Sequence, residues 1–230
     1  MCFSATASLT AAAVLGATGI YALRKCPCPR MLPYAAIPML FSVQQLAEGV
    51  LWLALAQGLH GLASAMSQAF ALFAHVLWPA YIPLAVLLLE PQAGRRRLLA
   101  GLAVAGAAFA AFHLPAILLS PVDASPAAGH IAYPVHYYLA GSGMALYLAA
   151  TAGGPLASSW RRVRLFGMLV VITLLFTWWA YARWLVSVWC FFAALLSTVV
   201  VSQVVATRRR KMRLERQRQA ADAMARVDCT

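Results

Sequence analysis

The chain has 230 residues, of which 63% are hydrophobic and only 10% are charged. Soluble domains carry roughly 25% charged residues, so this composition, with a mean hydropathy of +0.77, excludes a water-soluble globular enzyme. The formal net charge of +12 would suggest nucleic-acid binding in a soluble protein, but the distribution of the charges along the chain excludes that interpretation.

Seven apolar stretches are each long enough to cross a bilayer, which requires about 20 helical residues. The last two are separated only by Arg183, so a single very long helix is the alternative at that point. We predict an all-α integral membrane bundle of seven transmembrane helices, with spans at 4–23, 32–56, 66–89, 97–118, 132–152, 163–182 and 184–206.

The basic residues fall into four clusters that contain all of the 18 Lys and Arg residues except Arg183. These clusters follow spans one, three, five and seven, whereas the loops 57–65 and 119–131 contain none. Because Lys and Arg in short loops mark the cytoplasmic side of a membrane, we predict that the N-terminus is outside and the C-terminus is cytoplasmic.

Two regions follow from this pattern: a transmembrane domain over 1–206 and a basic cytoplasmic tail over 207–230. The tail is densely basic between Arg208 and Arg218, and its mixture of Arg, Gln, Ala and Met favours a short interfacial helix. Such a segment is attracted to anionic lipid. It has no aromatic residue on which a base could stack, so we predict the lipid bilayer as its partner and no nucleic acid.

Glu48 is the only acidic residue in the middle of a predicted span. A charge at the centre of a bilayer costs roughly 2.5–3.5 kcal/mol on insertion scales, so such residues face protein or a water-filled cavity. Gln44 lies one helical turn before Glu48 and Gln45 lies beside Gln44. The second span therefore carries a polar stripe of amide and carboxyl groups.

Two histidines are expected at a similar depth in the outer half of the membrane. With the helical rise of 1.5 Å per residue, Glu48 lies roughly 12 Å from the outer end of its span; His75 is near that depth, and His136 is shallower. Two His and one carboxylate can form an open zinc site, and Cys2 offers a further outer thiol. Glu48, His75, His136 and Cys2 are therefore the predicted ligands of a zinc or copper ion.

Two other interpretations of the same cluster remain open. Glu48 could be held in a hydrogen-bonded core in which His75 is its partner, or it could belong to a proton or solute path. Pro79 removes the backbone donor for the carbonyl of His75, so a kink with a free polar backbone group is predicted there. Broken membrane helices are tolerated where they line cavities, which favours a pocket.

Two helix faces carry small residues that permit close helix packing. They offer surfaces for helix packing or for a homo-oligomer. The residues are Ser4, Ser8, Ala12 and Gly19 in span one and Ser187, Cys190, Ala194 and Ser197 in span seven.

Three sequence motifs carry a resemblance to a known family. They are Met-Cys-Phe-Ser-Ala-Thr-Ala-Ser at 1–8, Phe-Ser-Val-Gln-Gln-Leu-Ala-Glu-Gly at 41–49 and Ser-Val-Trp-Cys-Phe-Phe-Ala-Ala at 187–194. Together they resemble a bacterial family of multi-pass membrane proteins known as a domain of unknown function. The resemblance implies an integral protein of the bacterial cytoplasmic (inner) membrane, and it brings no activity or substrate with it.

A second similarity is to the seven-span metal-dependent hydrolases that include alkaline ceramidases. The number of helices, the outer N-terminus and the intramembrane His and acidic residues are similar. The last span of this chain has no His, whereas that superfamily takes paired His ligands from its final helix, so the similarity is an analogy only.

The leading functional hypothesis is an outward-opening polar pocket that binds zinc or copper and supports hydrolysis of a lipid-like substrate. The alternatives are a proton-linked transporter or sensor of small solutes that uses Glu48, and a structural assembly partner. Whether the protein is an enzyme is left open by the sequence.

Overall fold

The computed structural model describes residues 4–120, 122, 124–127, 130–133, 142–181 and 184–227. Nearly all of these residues are helical, which confirms the all-α prediction. The described residues form eleven α-helices: α1 Ala5–Arg24, α2 Leu32–Ala35, α3 Ile37–Ala56, α4 His60–Leu72, α5 Trp78–Leu89, α6 Ala93–Leu119, α7 Ser142–Leu148, α8 Gly154–Ala157, α9 Arg161–Tyr181, α10 Leu185–Leu196 and α11 Thr198–Val227.

Short turns of other helix types join some of these elements into longer rods. A 3₁₀ turn at Pro29–Met31 precedes α2, and π-helical turns at Phe73–Leu77 and Ala149–Gly153 connect α4 to α5 and α7 to α8. The side chain of Ser4 caps the first helix by accepting a hydrogen bond from the backbone N–H of Ala7 at 3.2 Å, which satisfies a donor that the first turn cannot pair.

Within the described residues, six helical segments are long and apolar enough to cross a membrane. Their positions agree with six of the seven predicted spans to within a few residues at most ends. The segments are Ala5–Arg24, Pro29–Ala56, His60–Leu89, Ala93–Leu119, Arg161–Tyr181 and Leu185–Ala220.

The predicted fifth span is the one that differs. Its first residue, Ala132, belongs to a strand, because Ser125–Ala127 (β1) and His130–Ala132 (β2) form an antiparallel hairpin in which Pro126 is opposite Ile131. Helix begins at Ser142 among the described residues and continues through the π-helical turn to Ala157. The predicted start at Ala132 is therefore wrong, because that residue belongs to a strand that hydropathy did not indicate, and a membrane crossing in this region stays a prediction.

The last two spans are a hairpin and not one long helix. The indole N–H of Trp189 on α10 donates to the backbone carbonyl of Val170 on α9 at 3.1 Å. The ring of Phe176 lies 6.1 Å from that of Phe192, measured between centroids. These contacts require the chain to turn back between the two helices; Arg183, at the predicted turn, lies outside the described residues.

Helices α1 and α3 pack closely along the predicted small-residue face. A Cβ atom added at Gly19 would lie 2.7 Å from the backbone nitrogen of Met39. The Ser42 hydroxyl donates to the carbonyl of Ala12 at 2.7 Å. On α10, Ser187, Cys190 and Ala194 are buried as well. Both faces are thus used within one chain, and association between copies stays a prediction.

Helix α11 continues without a break from its apolar first half into the basic tail. Ser197 separates α10 from α11 and donates through its hydroxyl to the carbonyl of Ala194 at 2.6 Å. Up to Val227 the basic tail is therefore helical, as predicted, but it continues the helix of the last predicted span and is not a separate short helix.

Candidate functional site

Glu48 lies on the face of α3 that contacts the rest of the bundle, and only 2% of its surface is exposed. One carboxyl oxygen, Oε1, accepts a hydrogen bond from the Ser187 hydroxyl on α10 at 2.5 Å. The other, Oε2, accepts from the Gln45 amide at 3.3 Å. Both donors are neutral, and the Glu48 partner is Ser187 in place of the His75 that the sequence suggested.

The described residues supply no cation to balance Glu48. Their only ion pair joins Lys211 and Glu215 on α11, far along the chain and exposed. A buried carboxyl group that has hydrogen bonds but no counter-charge is in an environment that favours its neutral form.

Gln44 connects the same region of α3 to α5. Its Oε1 atom accepts a hydrogen bond from the indole N–H of Trp78 at 2.7 Å, and the Trp78 ring stacks on Phe41 with 3.9 Å between centroids. Gln44 Nε2 and Gln45 Oε1 are buried without a hydrogen-bond partner among the described residues. The polar stripe predicted on this helix is real, and it is directed into the protein.

His75 occupies the π-helical turn between α4 and α5 and is 1% exposed. The Trp78 N–H donates to the carbonyl of Phe73, five residues earlier, and Pro79 has no N–H to offer the next carbonyl. The carbonyl of Ala74 is therefore left without a backbone donor, and the hydroxyl of Tyr147 donates to it at 3.0 Å.

This arrangement adds a second carbonyl group to the predicted consequence of Pro79. The sequence predicts a kink that frees the carbonyl of His75. In the structure a π-helical turn precedes the proline, and the carbonyl of Ala74 accepts a hydrogen bond from a distant part of the chain. Turns of this type occur frequently at functional sites. Tyr147 would be difficult to identify from sequence, because its partner is 73 residues away.

Two small cavities are both lined by Cys190 and Tyr147. One has a volume of about 30 Å³ and is also lined by Phe41, Trp78 and Trp189. The other, of about 10 Å³, is lined by His75 and Trp189 as well. Volumes of this size hold about one to two water molecules, so they are far too small for a drug-sized ligand.

The predicted metal ligands are only partly within the described residues. Glu48 and His75 are described; Cys2 and His136 lie outside. The described part of the chain contains no group of three or more His, Cys, Asp and Glu side chains that could hold a metal ion. Zinc or copper at these four residues stays a prediction.

A second polar cluster, not anticipated from sequence, is centred on Glu90 at the end of α5. Its Oε2 atom accepts hydrogen bonds from the Ser158 hydroxyl at 3.1 Å and from the Ser159 N–H at 2.7 Å. Its Oε1 atom accepts from the Gln92 N–H at 3.1 Å. Burial by itself would raise the pKa of the Glu90 carboxyl, but these hydrogen bonds hold the pKa below its ordinary value.

The Glu90 cluster joins the α5–α6 connection to the segment before α9. Arg95 donates to the carbonyl of Ala157 at 2.8 Å, and the indole of Trp160 donates to the carbonyl of Leu89 at 3.2 Å. Each of the two segments both donates hydrogen bonds to the other and accepts them from it, so the cluster stabilises this end of the bundle. The only sequence signal was a glutamate at a helix end, which on its own does not identify a partner.

Comparison with known proteins gives the family and nothing more specific. No curated protein and no solved structure matches the chain. The sequence profile of a family of unknown function matches residues 1–217, nearly the whole length. The chain therefore belongs to the DUF6629 family.

Proposed function

We propose that this protein is a proton-linked integral membrane protein, in which Glu48 binds and releases a proton and thereby changes the packing of α3 against α10. The observation that carries this proposal is the buried Glu48 carboxyl, which accepts hydrogen bonds from Ser187 and Gln45 and has no cation among the described residues. Carboxyl groups inside membranes mark proton and ion sites in many bundles.

The topology that belongs to this proposal has seven spans, with the N-terminus outside and the C-terminus in the cytoplasm of a bacterial cell. It is supported by six apolar helices and by the alternation of basic loops. Large apolar side chains such as Phe112 and Trp179, exposed by 80% and 83%, suit contact with lipid.

Loss of the proton would leave a negative charge where only neutral donors are present. The charge strengthens the bond from Ser187 but requires better solvation than two hydrogen bonds provide. We expect the carboxylate to draw water or another donor into the bundle, which separates α10 from α3. Gln44 on the same face of α3 accepts a hydrogen bond from Trp78. A movement of α3 would therefore also displace α5 and the π-helical turn before it.

The small cavities favour a sensor or switch over an open carrier in this conformation. A solute path needs a cavity that fits the solute, and the two cavities beside Cys190 hold about one to two water molecules. Proton binding requires no larger space. A proton-linked transporter would need a second conformation in which these helices separate.

Infrared difference spectroscopy of protein in lipid vesicles tests the proposal directly. Between acidic and alkaline buffer we expect the carbonyl band of a buried, protonated carboxyl group to disappear. The band should be absent in Glu48→Gln and shifted in Glu48→Asp. It should persist in the matched control Glu215→Gln, which removes an exposed carboxyl group from α11.

Each variant must first retain the helical circular dichroism and the melting temperature of the parent within a few degrees. A protein in which no carboxyl band titrates, or in which the band survives in Glu48→Gln, would show that Glu48 is not a proton site. A purely structural role for the Glu48 cluster would then account for the contacts.

A further inference from the structure

We infer that the cleft between the start of α9 and the middle of α11 is a binding site for an anionic phospholipid, with the lipid phosphate held by arginines and an acyl chain lying on the apolar floor. The cleft has a volume of about 640 Å³. Its rim is formed by Arg162, Arg209, Arg210 and Arg213, and we call it the arginine cleft. This site is independent of the proposed role of Glu48.

The rim concentrates positive charge that the described residues do not neutralise. Arg162 comes from α9, whereas Arg209, Arg210 and Arg213 are within one turn or so of each other on α11. None of the four forms an ion pair with a described acidic residue, since the one such pair joins Lys211 to Glu215. Guanidinium groups bind phosphate through two parallel hydrogen bonds. An anionic headgroup in the cleft would therefore offset the repulsion among the four arginines by attracting each of them.

The floor of the cleft is apolar and belongs to the last part of the final span. Val201, Val205 and Ala206 line it and are half-buried. The exposed hydroxyl groups of Thr198 and Ser202 also line it, but each already donates to a carbonyl of the same part of the chain, at 2.9 Å and 2.7 Å. A free phosphate metabolite has no apolar part that could contact this floor, whereas the acyl chain of a phospholipid can pack against it.

The position along α11 also favours a lipid. The helix changes from Val199–Val201 and Val204–Val205 to a continuous basic segment within one to two turns, which is the depth at which headgroups lie. A neighbouring surface cavity of about 310 Å³ extends the basic surface through Arg213 and Arg216. The headgroup can therefore contact arginines on two successive turns.

Binding of a fluorescent phosphatidylglycerol to protein in phosphatidylcholine nanodiscs tests this site. We expect saturable binding that is about tenfold weaker in Arg162→Gln and in Arg210→Gln, since each removes a charge-assisted contact. Arg208→Gln is the matched control: it removes the same charge from the same helix, at a residue that does not line the cleft. We expect it to change the affinity by less than about twofold.

Three results would overturn the inference. If Arg208→Gln weakened lipid binding as much as Arg210→Gln does, the lipid would be attracted to the basic surface as a whole and not bound at a defined site. Displacement of the lipid by glycerol phosphate at equal concentration would identify a soluble phosphate as the ligand. Displacement by a single-stranded oligonucleotide at equal phosphate concentration would indicate nucleic acid.

A variant with a larger side chain on the floor of the cleft distinguishes loss of the lipid site from a general effect on folding. Val205→Trp keeps every arginine and occupies the space for the acyl chain. We expect it to weaken lipid binding about as much as Arg210→Gln while the melting temperature of lipid-free protein in detergent stays unchanged. Unaltered lipid affinity in this variant would contradict the acyl-chain part of the inference.

Discussion

The hydroxyl of Ser187 on α10 lies 2.5 Å from Oε1 of Glu48 on α3, and the two residues that make this contact are 139 positions apart in the chain. The distance is at the short end of the range for hydrogen bonds between a hydroxyl group and an oxygen. It is the direct connection that we expect to respond when the carboxyl group changes charge.

We expect Ser187→Ala to lower the free energy of unfolding by about 1–2 kcal/mol. This exceeds the average of about 0.6 kcal/mol for hydrogen bonds between membrane helices, because the substitution leaves a buried carboxyl oxygen with one donor fewer. Unfolding in mixed detergent measures the change. Ser202→Ala, at an exposed hydroxyl that bonds within its own helix, is the control.

A double-mutant cycle with Glu48→Leu, which removes the acceptor oxygens, shows whether the two residues interact. The loss in the double variant should be smaller than the sum of the single losses by at least about 0.5 kcal/mol. Additive losses would indicate that Ser187 acts through packing and not through Glu48.

Gly106 on α6 permits the backbones of α5 and α6 to approach closely. A Cβ atom there would overlap the carbonyl group of Pro79, with the carbonyl carbon only 2.8 Å away. We expect Gly106→Ala to reduce the stability by about 1–3 kcal/mol, as overpacking does. Gly101→Ala on the same helix meets nothing within 4 Å and should leave the melting temperature unchanged or raise it slightly.

Glu90 should make stability depend on pH in the acidic range. Because the pKa of its carboxyl is lower in the folded protein than its ordinary value, the ionised group stabilises the fold above the unfolded pKa of about 4.3. That contribution is lost as the pH falls through the folded pKa. At neutral pH we expect Glu90→Gln to melt at a lower temperature than the parent.

The two melting curves should converge as the pH is lowered below about 4. A series of melting temperatures from neutral to acidic buffer measures this. A gap between parent and Glu90→Gln that does not change with pH would mean that the glutamine amide fails for steric reasons, independent of charge.

The predicted topology is tested by labelling thiols in intact spheroplasts with a reagent that does not cross membranes. Cys2 should react without lysis, whereas Cys229 and the exposed Cys28 should react only after lysis. Variants with a single cysteine identify each site. Reaction of Cys28 or Cys229 in sealed spheroplasts would reverse the orientation.

The sequence-based proposal of a zinc or copper site requires about one metal ion per chain in protein purified without chelator. The ion should be lost in His75→Ala and in His136→Ala, and elemental analysis measures both. His60→Ala, at an exposed histidine at the start of α4, is the control. Metal-free protein in which Glu48 still titrates would remove the metal proposal and leave the proton site intact.

Hydropathy alone placed most of the long apolar helices. Span one was predicted at 4–23 and is observed at Ala5–Arg24; span four was predicted at 97–118 and is observed at Ala93–Leu119. The reason is local: about 20 consecutive apolar residues are required to cross lipid, and clusters of Arg and Lys bound such segments. The positions of the acidic residues along the chain were also enough to identify Glu48 as the exceptional residue in a span.

The contacts of Glu48 were decided only by the tertiary structure. Depth along a helix can be counted from sequence, so Glu48 and His75 could be expected at similar levels, but the helix that packs against the polar stripe of α3 could not. In a soluble helix the polar face reveals the rotation of the helix; in a membrane helix the surface in contact with lipid is as apolar as the surface in contact with protein. Ser187 as the partner of Glu48, and Tyr147 as the donor to the carbonyl freed by Pro79, follow from packing between distant segments, which leaves no periodic signal in the chain.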